Sequence, residues 1–318
     1  MRVCLMIEGQ EDVTWDQWRA LASACEKHGY EGLFRSDHYL SVEGQRERGS
    51  LDAWTTLGAL AAVTSRIRLG TLVSPATFRH PSVLAKSAAT VDHISGGRVE
   101  IGLGAGWNES EHRAYGFPFA SMRTRMDVME EQLEIVARSF GDEAFSFDGE
   151  HYRIEELDAL PKPVQRPRPA IVVGGRGGPR SLRLAARWAD EYNTFSASVD
   201  EVRERRDAFA EAWRAAGRDP DAFRFSAMVS VLVGVDDADF RERAAVLAER
   251  RRQDVDSLIS GLRGHGVVGT IDQAVAQLRE LERAGIQRVM LQHFLHDDLE
   301  SVELIGRELI PRAAEPAG

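Results

Sequence analysis

Near the start of the chain, Arg35-Ser36-Asp37-His38 sets an imidazole directly after a carboxylate. Histidine is the side chain that exchanges a proton near neutral pH, and an adjacent carboxylate can orient or charge it. The pair reads as a proton-handling site; the plainer alternative is that Asp37 caps a turn and His38 is a bystander. A second candidate is Gly174-Gly175-Arg176-Gly177-Gly178, followed at once by Pro179. Backbone N–H groups unobstructed by side chains, at the positive start of a helix, cradle phosphate. No Gly-Lys-Ser/Thr follows, so this is not a nucleotide P-loop. A third glycine-rich stretch, Gly102-Leu103-Gly104-Ala105-Gly106-Trp107-Asn108, fails the dinucleotide fingerprint because Trp107 stands at the third glycine position. Arg79 and Arg176 fall on the same side as these loops and either meet an anionic ligand or are simply solvated.

Such loops need a frame that brings them together. Strand-like segments at 3–7, 32–34, 68–73, 99–103, 170–173, 191–195, 225–235 and 288–292 alternate with helix-like ones at 14–28, 52–64, 80–94, 123–140, 179–189, 200–216, 237–252, 270–284 and 299–310. This alternation implies parallel pairing through right-handed crossovers. Eight such units fit a closed (β/α)8 TIM barrel, whose usual length is about 250 residues plus insertions, better than an open doubly wound sheet. The reading is one domain over 1–312, with insertions near 141–169 and 253–269 and a disordered tail at 313–318. The first insertion contains a hairpin at 145–154 and an extended connector at 160–169 that holds four prolines. In a barrel the site lies on the loops that follow the strands, which is where the three candidates fall.

Composition excludes several classes. A net charge of -10 argues against a nucleic-acid surface, which needs a basic face. No apolar run approaches the roughly 20 residues of a membrane-spanning helix, and Met1-Arg2-Val3 passes straight into a strand, so a cytoplasmic protein is expected. The only cysteines, Cys4 and Cys25, support neither a disulfide framework nor a zinc site, and no metal is expected. The lysines are Lys27, Lys86 and Lys162, none at a strand end, which counts against a Schiff-base aldolase.

Several stretches together resemble the luciferase-like monooxygenase family: Leu69-Gly70-Thr71-Leu72-Val73-Ser74-Pro75-Ala76-Thr77-Phe78-Arg79-His80-Pro81, Ser95-Gly96-Gly97-Arg98, the run from Gly102 to Asn108, Val173-Gly174-Gly175, and Leu184-Ala185-Ala186-Arg187-Trp188-Ala189-Asp190. Leu5-Met6-Ile7-Glu8-Gly9-Gln10 and Phe34-Arg35-Ser36-Asp37-His38-Tyr39 are similar to its coenzyme F420-dependent oxidoreductase branch. The resemblance implies a deazaflavin ring across the barrel mouth, a non-prolyl cis peptide at Leu72–Val73, and His38 with Asp37 as the catalytic pair. It implies a cofactor-binding set of Thr71, Leu72, Val73, Gly106, Asn108, Gly174, Gly175, Arg176, Gly177 and Gly178, the last five taking the cofactor's phosphate. Glu8, Trp107, Phe195 and His293 fall at other strand ends, on the expected side of a small-molecule substrate. Sugar-phosphate dehydrogenases of the family place a catalytic Glu where this chain has Trp107, which argues against that activity. Members commonly pair as homodimers through helices on one flank, for which the apolar run 57–63 is the candidate here. The expected activity is F420-dependent hydride transfer. The alternatives are an FMN-dependent monooxygenase and a non-catalytic flavin-binding protein, which would not need Asp37-His38.

Overall fold

The computed structural model describes residues 1–45 and 47–314. Its centre is a ring of parallel strands: β1 (Arg2–Ile7), β2 (Gly32–Arg35), β3 (Arg68–Thr71), β4 (Val99–Gly104), β5 (Ala170–Gly175), β6 (Glu191–Phe195), β7 (Phe225–Gly234) and β8 (Arg288–His293). Each pairs with the next, and β8 returns to β1 in a register running from Arg2↔Arg288 to Ile7↔His293. The sheet therefore closes into a (β/α)8 TIM barrel, as the alternation implies. Among the described residues no helix is long and apolar enough to cross a membrane.

Strand side chains alternate between two environments. Val3, Leu5 and Ile7 join the apolar shell under the helices, whereas Cys4 and Met6 fill the lumen with Phe34, Leu72, Val172 and Met290. Burying each such side chain stabilises the fold by roughly 1.5–3 kcal/mol. At the floor, the start of β8 supplies Arg288, 1% exposed. Its guanidinium grips Glu100 with two bonds (3.0 and 2.6 Å) and reaches Glu191 at 3.1 Å. Arg68 bonds Glu100 from the other side. The floor is thus sealed by charge, and the mouth is left for chemistry.

The surrounding helices begin where polar caps allow. Thr14 and Thr270 each form reciprocal boxes with the Gln three residues on, while Asp52 and Ser121 cap helices Ala53–Val63 and Met122–Ser139 with their side-chain oxygens.

Four local expectations change. Strand three ends at Thr71; the Leu72–Val73 peptide is cis, and Ser74–Pro75 resumes as a separate short strand against the end of β4. Helix Glu109–Tyr115 stands between the glycine-rich run and the helix expected from 123, a stretch to which the sequence assigns no element. The segment 253–269 is not a plain insertion: helix Val255–Arg263 leads to strand Gly266–Thr270, which pairs with the outer half of β7 from Ser230↔Gly266 to Gly234↔Thr270. β7 is ten residues long, so it runs past its barrel neighbour β6 and offers a bare edge that this strand covers. Lastly, Ala313 is buried within helix Ile310–Ala314 and its carbonyl accepts the Met1 amine at 3.0 Å, so the expected disorder does not begin at 313; residues 315–318 lie outside the described residues. The hairpin pairs Phe145–Asp148 with Arg153–Leu157.

Candidate active site

The loops after β2, β3, β4 and β5 meet at the barrel mouth. Asn108 caps helix Glu109–Tyr115, its side chain accepting the Glu111 N–H at 3.4 Å. One turn in, the fully buried Glu111 carboxylate turns back toward β2. One oxygen lies 2.7 Å from His38 Nδ1; the other accepts the backbone N–H groups of Tyr39 and, at 3.1 Å, Leu40. Burial alone would lower the His38 pKa, but the Glu111 hydrogen bond and charge, with Glu8 and Asp37 further off, outweigh it and raise it above the ordinary histidine value. Glu111 shows the converse. Burial would raise it, while His38 and the two amides hold it below the usual carboxylate range. A carboxylate on Nδ1 makes that nitrogen the donor and leaves Nε2 as the atom that exchanges a proton with a ligand. Trp107, 62% exposed, stands edge-on to the imidazole with ring centroids 5.6 Å apart.

This corrects the expected pairing. Asp37 does not orient His38. Its Oδ2 accepts from Ser74 Oγ at 2.6 Å and from Arg79 Nη1 at 2.5 Å, and Arg79 also bonds Asp52 (2.7 Å) and the Tyr39 hydroxyl (2.9 Å). The Asp37 Oδ1 atom is buried with no hydrogen-bond partner. Glu111 is the residue that sequence reasoning missed. The available signal was Asn108 followed three residues later by Glu111, the spacing of a helix cap; the glycine-rich context hid it.

Beside this network, Thr71 Oγ1 donates to the Gly102 carbonyl at 3.1 Å and accepts from Ser74 Oγ, so the end of β3 is tied to both β4 and Asp37. Leu72 fills the lumen below. Val73 presses into a recess with glycine walls: a Cβ on Gly104 would meet Val73 at 2.7 Å and one on Gly174 at 3.2 Å, while one on Gly102 would overlap the Thr71 carbonyl. Gly106 takes a positive φ of 77°, with Thr77 Oγ1 2.9 Å from where a Cβ would stand. Asn108, expected among the cofactor ligands, is instead occupied as the helix cap.

The Gly174–Gly178 loop divides in the same way. Gly174 makes room for Val73, and Gly175 for the Tyr192 hydroxyl and Ser181. The cradle itself narrows to Gly177, at φ 79° with its N–H donating to Tyr192 Oη at 2.9 Å, and to Gly178, which starts helix Pro179–Trp188 with no side-chain cap. The first-turn N–H groups of Arg180 and Ser181 thus face an open end, the arrangement that receives an anion. Arg176 is exposed, its guanidinium 5.2 Å from the Phe195 ring.

The four substrate-side candidates separate. Trp107 and Glu8 stand at the mouth, Glu8 held by the Gln10 and Gln292 amides. Phe195 lies beneath Arg176. His293 follows Val289 and Leu291 onto the outer face of β8, while Met290 faces the lumen, so it is displaced from the mouth. Burial pushes its pKa down to about 4. Cys4 and Cys25 are buried free thiols, and no group of three or more possible metal ligands occurs among the described residues.

Comparison with known proteins points the same way as this geometry. A family model described as luciferase-like monooxygenase matches residues 3–288. The F420-dependent hydroxymycolic acid dehydrogenase of Mycobacterium tuberculosis is 31% identical, over 73% of this chain and 63% of that protein. The FMNH2-dependent dimethylsulfone monooxygenase of Pseudomonas putida is 26% identical, over 96% of this chain and 90% of that one. Among solved structures, an F420-dependent secondary alcohol dehydrogenase in complex with an F420-acetone adduct matches with a TM-score of 0.83 and 20% identity, covering 99% of both chains.

Proposed function

Because the chain belongs to the luciferase-like monooxygenase family, we propose that it is an oxidoreductase that holds coenzyme F420 across the barrel mouth and exchanges two electrons with a small organic substrate. The observation that carries this reading is the His38–Glu111 pair, an imidazole locked on one nitrogen and raised in pKa where a proton must accompany those electrons. The residues present fit such a group. Asp37 Oδ1 is a buried acceptor without a donor, and an N–H or O–H on the ligand would complete it. Gly177, Gly178 and the uncapped helix start fit its phosphate, with Arg176 beside them for further negative charge. When bound, F420 supplies two-electron hydride chemistry; the protein supplies binding, orientation and exclusion of water. His38 Nε2 gives or takes one proton per turnover, Glu111 keeps the ring in the right tautomer, and Trp107 covers the imidazole from solvent. FMN-dependent monooxygenation is the second reading, favoured by the near-complete coverage of the dimethylsulfone enzyme.

Fluorescence titration with F420 and with FMN tests the choice: F420 is expected to bind more tightly, and equal or stronger FMN binding overturns the preference. A Gly178→Asp variant tests the cradle in the same assay. Gly178 has φ -61° and ψ 138°, which any residue adopts, and a Cβ there meets nothing closer than Ser181 Oγ at 3.9 Å. The new carboxylate caps the helix, adding a few tenths of a kcal/mol of stability. It also occupies the same N–H groups and repels an anion, so cofactor affinity should fall by about tenfold or more. Unchanged affinity would place the phosphate elsewhere.

The proposal extends to assembly as a homodimer through helix Ala53–Val63, which carries no charged residue and leaves Val63 57% exposed. Light scattering at micromolar concentration should give twice the chain mass, and a monomer mass removes this contact.

A further inference from the structure

Helix Glu109–Tyr115 has seven residues, short of the roughly 12–15 at which a helix holds by itself in water, so its place depends on what its side chains grip. Two of them are buried, Glu111 and His112. Being consecutive, they leave the helix about 100° apart. Glu111 turns to the loop after β2, and His112, fully buried, turns to the loop after β3. Its Nδ1 lies 2.6 Å from the Asn108 carbonyl, which can only accept, so Nδ1 carries the hydrogen. In that neutral ring Nε2 accepts, and the Thr77 hydroxyl donates to it at 2.6 Å. Both ring nitrogens are thereby used, and His112 has none left to exchange a proton with a ligand.

The surroundings leave this bond little freedom. Phe78 and Phe119 flank the imidazole with ring centroids 5.1 and 4.8 Å away. Phe78 also stacks on Tyr39 at 5.4 Å, and Tyr39 supplies one of the two backbone N–H groups on the second Glu111 oxygen. The helix that carries Glu111 and the amides that meet its carboxylate therefore lean on the same ring. Gly106 lets the bond pass: a Cβ there would stand 2.9 Å from Thr77 Oγ1 and 3.5 Å from His112 Cε1.

We propose that the His112–Thr77 bond is the latch that sets Glu111 against His38 Nδ1, so that His112 and Thr77 are positioning residues for the proton carrier. The proposal rests on the reading of His38 as that carrier. The pull of a carboxylate on an imidazole proton weakens with distance and with loss of hydrogen-bond alignment. A helix released from the β3 loop lets the Glu111 carboxylate retreat, and His38 then holds its proton less tightly. Glu8 and Asp37, the other charged groups that face His38, are fixed independently of the helix. Glu8 is held by the Gln10 and Gln292 amides, and Asp37 by Ser74 and Arg79. A change in His38 protonation on breaking the latch therefore reports Glu111.

Nuclear magnetic resonance titration of the His38 imidazole in the full chain, assigned by the signal missing from His38→Ala, reads this without a substrate. Wild type should titrate above 6.5, and Glu111→Gln marks the full effect of losing the charge. Thr77→Val, which keeps the shape and drops the hydroxyl, should lower the midpoint by about half a pH unit or more, about threefold in proton affinity. His112→Asn, whose amide keeps the bond to Asn108 and falls short of Thr77, should do the same. Thr77→Ser and His112→Gln, which still span the gap, should titrate as wild type does. Broken-latch variants that titrate with wild type, or spanning variants that shift as far as the broken ones, overturn the proposal. So does failure of both broken-latch variants to fold, because the bond would then hold the mouth together rather than set the pair. F420 and FMN titrations of the same samples report the redox reading separately. A wild type that binds neither cofactor refutes that reading and leaves the latch result standing, whereas a folded Thr77→Val protein with an unmoved His38 refutes the latch whichever cofactor binds.

Discussion

His38→Ala should lower turnover by about 10²–10⁴-fold, the usual worth of a positioned general acid–base group, while changing cofactor affinity by less than about threefold. The imidazole is held by Glu111 and edged by Trp107. Its loss removes a proton carrier and leaves intact the parts proposed to hold the cofactor, namely Asp37, the Leu72–Val73 segment and the Gly177–Gly178 cradle. Glu111→Gln isolates the carboxylate's contribution. The amide oxygen can still orient Nδ1, but the charge that raises the His38 pKa is gone. The sign follows from the raised pKa: protonated His38 persists above the ordinary value of 6.5 and is lost as pH climbs through the higher folded value. The limb of the pH–rate profile that reports His38 should therefore lie above 6.5 in wild type and move to lower pH in Glu111→Gln. A purely structural Glu111 would lower stability and leave that limb in place. If His38→Ala loses cofactor binding as severely as Gly178→Asp does, His38 positions the ring and the proton carrier is another group.

Replacing Arg288 with Leu should cost about 3–5 kcal/mol of stability in urea unfolding, because it strands Glu100 and Glu191 in the barrel floor without their shared cation. A well-packed apolar replacement of the whole trio, Arg288→Leu with Glu100→Leu and Glu191→Leu, should recover much of that loss, since the ions themselves are costly to bury. Acid separates the two carboxylates. Burial acts against ionisation at both, yet Glu100, gripped by Arg288 and Arg68, is drawn down to about 2, whereas Glu191, with the weaker share of Arg288, is raised. The Glu100 contribution to stability is fully present above its ordinary pKa of 4.5 and is lost as pH falls from there toward about 2. In Arg288→Leu the same carboxyl has no cation to depress it as strongly, so acidification should narrow the gap between variant and wild type. A gap that stays constant as pH falls from 4.5 toward about 2 would mean that Arg288 acts through its packing over the Phe34 ring, 5.2 Å away, rather than through charge.

The barrel was legible because its signals are local and periodic. Most of the strands are short apolar runs, and the eight read from the sequence correspond to the eight that close the ring. Strand Gly266–Thr270 was not legible. Gly-Val-Val-Gly-Thr carries glycine at its first and fourth positions, which weakens a strand pattern, and only the overhanging edge of β7 makes it one. The site was legible as loops but not as partners. Asp37 and His38 are neighbours in sequence and turn to different groups, since consecutive side chains leaving a strand point apart. Glu111 is 73 residues from His38 along the chain, and nothing in residue order marks such a pairing. His293 misled for a related reason. Its position at a strand end was read correctly, but the face on which it stands follows from the lumen residue Met290, which the sequence does not label.

The recess around Val73 also bears on which substitutions this protein can accept, and in what order. Gly104 and Gly174 are confined by the Val73 side chain alone, whereas Gly102 is confined by the Thr71 backbone as well. Two of the three positions are therefore conditionally fixed. A methyl group at Gly104 or Gly174 becomes tolerable once Val73 has been reduced to Ala, and harmful in the reverse order, so the effect of each change depends on the background in which it arises. Gly102 has no such escape, because no neighbouring side-chain replacement moves a carbonyl. Drift through this part of the mouth would follow a ratchet, with Val73 as its pawl.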